Sequence, residues 1–223
     1  MVVEVQLAAE DPVNTTDQRK TTAYRVVTDR LVLRCWNPDD APRLRAALDA
    51  CDTHLRPWIP FMKDEPRSLE QTAEWLRGIR ASFDTDQMYR YAVFDSEEST
   101  LLGENMLIKR VGPGGLEIGY WTHKNAIGRG IASEASCAMI RVAFEIEDVD
   151  RVEIMCAPEN TASSSIPASL GFSHEATLKQ RALDSEGRYC DLMVWSLFRA
   201  DFASSPAAKL RIHAHDCMGE PII

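Results

Sequence analysis

Asn125-Ala126-Ile127-Gly128-Arg129-Gly130-Ile131-Ala132-Ser133-Glu134-Ala135 sets two glycines and an arginine between an apolar run and a periodic one. The apolar, aromatic run Leu116-Glu117-Ile118-Gly119-Tyr120-Trp121 precedes it, and a segment of helical periodicity follows. The order is therefore strand, glycine loop, helix. Gly128 and Gly130 remove two Cβ atoms where the backbone must turn and approach something closely. The loop runs into a helix N-terminus, whose unpaired N–H groups and positive dipole end favour an anion. Arg129 adds a full positive charge. A pyrophosphate-bearing cofactor suits such a loop, and a plain glycine turn before a helix has the same pattern.

Working outward, Met88 to Thr122 reads as a meander. Tyr89-Arg90-Tyr91-Ala92-Val93-Phe94, Leu101 to Arg110 and Leu116 to Thr122 are strands, joined by short polar or glycine-rich turns. After the loop, Ile131 to Ile146 reads as a helix with Ala135, Met139, Val142, Ala143 and Ile146 inward. Arg151 to Ala157 is a strand. Asn160 opens a short helix that stops at Gly171, and strands follow over about 173–183 and 187–198. Towards the N-terminus, Arg30 to Cys35 is a half-buried strand. Asn37-Pro38 starts a helix with Leu44, Ala47, Leu48 and Cys51 on one face, and His54 to Phe61 is broken by two prolines. Ser68 caps a second helix, with Gln71 at the capping-box position and Leu69, Thr72, Ala73, Leu76 and Ile79 inward.

The 223 residues suit one domain with appendages. Residues 1–27, rich in breakers and polar residues, read as an arm, 28–202 as the domain, and 203–223 as an extension forming a hairpin. The net charge of −9 argues against nucleic acid as the main partner and suits a cationic substrate such as an amine. No apolar run approaches the roughly 20 residues of a membrane span, and the acidic N-terminus is unlike a secretory signal. Six scattered cysteines without a C-x-x-C pair read as reduced thiols in a cytoplasmic protein. His213, His215, Asp216 and Cys217 crowd the tail, but their spacing matches no metal site, and no metal is expected.

Six motifs stand in register: Leu31-Val32-Leu33-Arg34, Glu117-Ile118-Gly119-Tyr120-Trp121, Gly128-Arg129-Gly130-Ile131-Ala132, Asn160-Thr161-Ala162-Ser163, Leu170-Gly171-Phe172, and Gly187 with Asp191 before Phe198-Arg199. Together they resemble the GNAT acetyltransferase superfamily, in its ribosomal-protein N-acetyltransferase (RimJ/RimL-like) subgroup, over about 28 to 202. The resemblance implies an α/β (α+β) fold: a mixed, mostly antiparallel sheet, splayed at its centre and flanked by helices. It implies acetyl-coenzyme A in the splay, with its pyrophosphate on Ile127, Gly128, Arg129, Gly130 and Ala132. Backbone N–H groups near Trp121 and Thr122 would meet the oxyanion. Ser163 matches the position of an acid for the leaving sulfur, and Asn160 would bond the pantetheine amide. Both also fit plain helix-start roles, a first-turn serine and an N-cap. Glu117, or Glu104 on the neighbouring strand, is the candidate base, and Trp58 and Phe61 would wall the substrate cleft. His123 reads as structural.

The family loop usually opens with Gln or Arg where this chain has Ile127, which removes one contact but leaves the backbone cradle. Some relatives carry a glutamate where this chain has Arg181-Ala182-Leu183, without an acid. The expected reaction moves an acetyl group from acetyl-coenzyme A to a primary amine, a protein N-terminus or a small molecule, in a monomer or homodimer. A non-catalytic acyl-coenzyme A sensor on the same fold is an alternative. A dinucleotide-binding oxidoreductase is another: Gly128 and Gly130 follow a strand, and Asp148 or Asp150 lies about 20 residues on. Ser133 at the third small position and the meander before the loop weigh against it.

Overall fold

The computed structural model describes residues 22–184 and 186–223. Nine strands form one sheet: β1 (Arg25–Val27), β2 (Leu31–Cys35), β3 (Met88–Asp95), β4 (Leu101–Ile108), β5 (Gly115–Thr122), β6 (Arg151–Cys156), β7 (Ser173–Leu183), β8 (Tyr189–Phe198) and β9 (His213–His215). Their order is β7-β8-β6-β5-β4-β3-β2-β1-β9. Every neighbouring pair is antiparallel except β5 and β6. This is the mixed, mostly antiparallel architecture expected.

Helices cover both faces. α1 (Ala41–Leu55) and α2 (Leu69–Asp84) lie on one face, where Leu44, Leu48, Leu76 and Ile79 pack against Val32, Ala92 and Phe94. α3 (Ile131–Arg141) lies on the other, with Ala135, Met139 and Ile140 against Leu33, Leu107 and Ile118. α4 (Thr161–Ser169) follows β6, and a short α5 (Arg199–Phe202) follows β8. Local chemistry sets the boundaries. Asn37 caps a 3₁₀ turn, Pro38–Asp40, that leads into α1, and the Ser68–Gln71 capping box starts α2.

Three readings are corrected. Arg25–Val27 belong to the sheet as β1 and pair with both β2 and β9, and Thr22 and Ala23 before them are buried; residues 1–21 of the proposed arm lie outside the described residues. The helix read to Ile146 is α-helical to Arg141 and then widens into a π turn over Val142–Ile146. Leu69, read as inward, is exposed, because α2 buries Thr72, Leu76, Ile79 and Phe83 instead. At the C-terminus, β9 turns back through Asp216–Gly219, and Ala214 exchanges backbone hydrogen bonds with Ile222 and Ile223. His213 and His215 thus sit on an edge strand, and among the described residues no three metal-ligating side chains converge. No helix of the described residues is long and apolar enough to cross a membrane.

Candidate active site in the parted sheet

β5 and β6 pair only from Gly115↔Arg151 to Ile118↔Ile154, yet β5 runs on to Thr122 and β6 to Cys156. Each keeps its outer partner to its end: Gly103 faces Thr122, and Met193 faces Cys156. The sheet therefore opens into two arms beyond Ile118. The β6-facing backbone groups of Gly119–Thr122 have no strand partner among the described residues. Such a row of donors and acceptors can hold an extended amide-bearing chain, as an added strand would. Gly103 lies against the Trp121 carbonyl, where a Cβ would collide, so the β4–β5 arm needs glycine there.

The glycine loop closes one side of this opening. The His123 Nδ1 accepts from the Asn125 N–H at 3.2 Å, which makes it an acceptor. Burial, then Lys124 and His54, lower its pKa below the ordinary value, so at neutral pH it serves as a neutral turn-former. Gly128 and Gly130 have φ of 72° and 74°, conformations that L side chains adopt with strain. A Cβ on Gly128 would meet nothing within 4 Å. The loop thus faces open space with its backbone, and the N-terminus of α3 stands behind it. From outside, Arg30 braces it. Its Nη1 donates to the Arg129 carbonyl at 3.1 Å and its Nε to Glu134 at 2.6 Å, while Thr28 donates to the same carboxylate at 2.6 Å. Glu134 therefore spends its charge on the brace, and Arg129 stays exposed. Paired glycines, a bare helix N-terminus and an exposed arginine fit a pyrophosphate group.

α4 closes the other side. The Asn160 side chain caps it, accepting from the Ser163 N–H at 3.1 Å. Tyr120, on the β5 arm, reaches across the opening. Its hydroxyl lies 3.0 Å from the Ser163 carbonyl and 3.2 Å from the Ser163 Oγ. Burial pushes the Tyr120 hydroxyl well above its ordinary range, with Ser163 opposing. It also raises the Cys156 thiol, which the Ser163 hydroxyl again opposes. The three polar groups Tyr120, Cys156 and Ser163 thus meet where the arms diverge.

The carboxylates lie elsewhere. Glu117 is corrected: it does not line the opening. It pairs with Glu153 in the closed part of β5, is 3% exposed, and both its oxygens are held by Arg110 at 2.6 Å. Glu104 does lie level with the opening, opposite Trp121, but on the α1–α2 face. It accepts from Trp36 Nε1 at 2.7 Å, Trp121 Nε1 at 3.0 Å, and Arg90 at 2.8 and 2.6 Å. With four donors around it, it is a strut rather than a free base. Arg90 in turn lies over the rings of Phe61 and Trp75, which pack at 5.1 Å. Phe61 is part of this stack, whereas Trp58 is 42% exposed.

The sequence profile of the acetyltransferase (GNAT) domain matches residues 30–173. The chain belongs to the GNAT acetyltransferase family. It is an acyltransferase with this family's fold, and the resemblance to ribosomal-protein N-acetyltransferases holds. An N-acetyltransferase of Bacillus licheniformis, p20, is 29% identical over 79% of this chain and 97% of its own length. The ribosomal protein uS5-alanine N-acetyltransferase of Escherichia coli is 26% identical, over 80% and 92%. In structure, RimL, a ribosomal-protein α-N-acetyltransferase solved with coenzyme A, superposes with a TM-score of 0.70 at 22% identity, covering 77% of this chain and 96% of its own.

In this GNAT domain the structure brings Trp121, Thr122, Ile127, Gly128, Arg129, Gly130, Ala132, Asn160 and Ser163 to the two sides of one opening. Glu117 is left out, and Trp58 and Phe61 lie on the α1–α2 face. Sequence reasoning missed Tyr120, Trp36, Arg90 and the Arg30–Glu134 brace. A signal existed for Tyr120 alone: alternation along Ile118-Gly119-Tyr120 points it to the face of α3, opposite Trp121.

Proposed function

We propose that this acetyltransferase moves an acetyl group from acetyl-coenzyme A to a primary amine, the α-amine of a protein N-terminus in the first instance. The observation that carries this is the parting of β5 and β6 after Ile118, with the glycine loop on one side and Ser163 on the other. Gly128, Arg129, Gly130 and the first N–H groups of α3, Ala132 among them, would hold the pyrophosphate. The free edge of Gly119–Thr122 and the Asn160 amide would hold the pantetheine arm. Ile127 contributes backbone only, so affinity rests on the cradle. The relatives' names, ribosomal-protein acetyltransferases among them, support a protein N-terminus as acceptor.

Acetyl-coenzyme A supplies an activated thioester. The neutral amine attacks its carbonyl carbon, and the Thr122 N–H, on the free edge of β5 beside Trp121, would face the developing oxyanion. The C–S bond then breaks, the Ser163 hydroxyl steadies the leaving sulfur, and the proton shed by nitrogen ends on the thiol. No carboxylate is required as base. An α-amine has a pKa of about 7.7–8.0, so a useful fraction is neutral near pH 7. The acidic exterior, with its net charge of −9, attracts a cationic acceptor.

The test is thiol release with acetyl-coenzyme A across an acceptor panel of short peptides and small amines, paired with calorimetry of coenzyme A. Release with peptides whose α-amine is free supports the proposal. Tight coenzyme A binding without turnover on any acceptor would favour the sensor. NAD binding in place of coenzyme A would favour the oxidoreductase.

A further inference from the structure

Pro167 stands inside α4, four residues after Ser163. An α-helix bonds each carbonyl to the N–H four residues on, and proline has no N–H. The Ser163 carbonyl has therefore lost the donor that the helix would supply. The proline ring also pushes against that carbonyl, since the carbonyl four residues back is the one it crowds. Tyr120 supplies the missing donor from a different element, with its hydroxyl 3.0 Å from the Ser163 carbonyl oxygen. A phenol has one proton to give. Once that proton is directed to the carbonyl, the phenol oxygen is left as an acceptor, 3.2 Å from the Ser163 Oγ.

We propose that Pro167 and Tyr120 together are a positioning device for Ser163: the proline vacates its carbonyl, and the tyrosine fills the vacancy and thereby fixes the serine hydroxyl against the opening. This rests on the acetyl-transfer reading and deepens it: the Ser163 hydroxyl donates to the phenol oxygen at rest and turns its single proton to the sulfur as the C–S bond breaks. The arrangement also ties α4 to the β5 arm across the gap, at the place where the sheet has no backbone bonds of its own. Tyr120 stays protonated throughout the working pH range, since burial raises its hydroxyl above an already high ordinary value. It therefore orients the serine and is not a net source of protons. Ser164 and Ser165 carry the same hydroxyl, but theirs turn back to the Thr161 and Ala162 carbonyls at 3.3 and 2.8 Å. Only Ser163 among the three meets Tyr120.

Two measurements test the device. In thiol-release kinetics, Tyr120→Phe is expected to lower kcat on the order of 10-fold, short of the roughly 10²–10⁴ of a whole general acid. The dissociation constant for coenzyme A, by calorimetry, should stay within about twofold, and KM for the acceptor should move less than kcat. In the Ser163→Ala background the same change should cost nothing more. Additive losses, or parental kcat in Tyr120→Phe, would overturn the positioning role. In thermal melts without substrate, Tyr120→Phe is expected to lower Tm by about 2–4 °C, the loss of one hydrogen bond in a chain of this size. In the Pro167→Ala background, where an N–H returns to the Ser163 carbonyl, that loss should shrink by half or more. An equal loss in both backgrounds would overturn the coupling to Pro167. A parent that turns over no acceptor would count against the acetyl-transfer reading instead, and the melting cycle would still decide the coupling.

Discussion

Ser163 is the hydroxyl left facing the parted strands once Ser164 and Ser165 have bonded their own helix. Its replacement, Ser163→Ala, should lower kcat roughly 10²–10⁴-fold with coenzyme A affinity little changed. Ser164→Ala and Ser165→Ala, measured alongside, should leave kcat near the parent; an equal loss in all three would reduce Ser163 to a first-turn structural serine. A second residue-scale expectation concerns Glu104. It is 2% exposed and neutralised by Arg90, so Glu104→Ala leaves that charge without its partner. A loss of about 3–5 kcal/mol in urea unfolding follows; parental stability would mean that the strut carries nothing. The place of Ser163 in the first turn of α4 was legible in the sequence because it stands three residues after the cap Asn160, a local spacing. The roles of Glu117 and Glu104 were not, since strand pairing and the placing of Arg110, Arg90 and two tryptophans decide them, and these come from elsewhere in the chain.

At the scale of elements, β5, the glycine loop and α3 form one unit, and the proposed coenzyme A site depends on it. Gly130 caps α3 at φ 74°, so Gly130→Glu adds backbone strain and sets a carboxylate beside the proposed pyrophosphate site. Calorimetry should show coenzyme A binding lost while circular dichroism stays native; parental binding would place the cofactor elsewhere. The unit was readable because its signals are local: a strand, two glycines, then helical periodicity. The seven longer strands and α1 to α4 were legible for the same reason. Arg25–Val27 was not, because three residues are too few to show a period and only β2 and β9 make them a strand. The π turn at Val142–Ile146 was equally hidden, since its inward residues satisfy ordinary helical spacing as well.

Across the whole molecule, one buried and one half-buried carboxylate, Asp40 and Glu147, set opposite pH dependences. Burial would raise Asp40, but the Arg34 fork, at 2.8 Å to each oxygen, and the Asn37 N–H outweigh it and hold the carboxyl below its ordinary range. Its stabilisation is present above about pH 3.9 and is lost as pH falls through the depressed value. Glu147 runs the other way: burial raises it, against the Thr22 hydroxyl at 2.5 Å. Its contribution is complete below about pH 4.3 and is lost as pH rises through the raised value. The Tm gain of Glu147→Gln over the parent should therefore be small near pH 4 and grow towards pH 7; a gain independent of pH would contradict this assignment. Acetyl transfer to an α-amine in the parted sheet is open to tandem mass spectrometry of acceptor peptides incubated with acetyl-coenzyme A and the protein. One peptide carries a free N-terminus and blocked lysines, its counterpart a blocked N-terminus and free lysines. A single acetyl group is expected on the α-nitrogen of the first and none on the second; acetyl on the lysines alone, or on neither peptide, would overturn this reading.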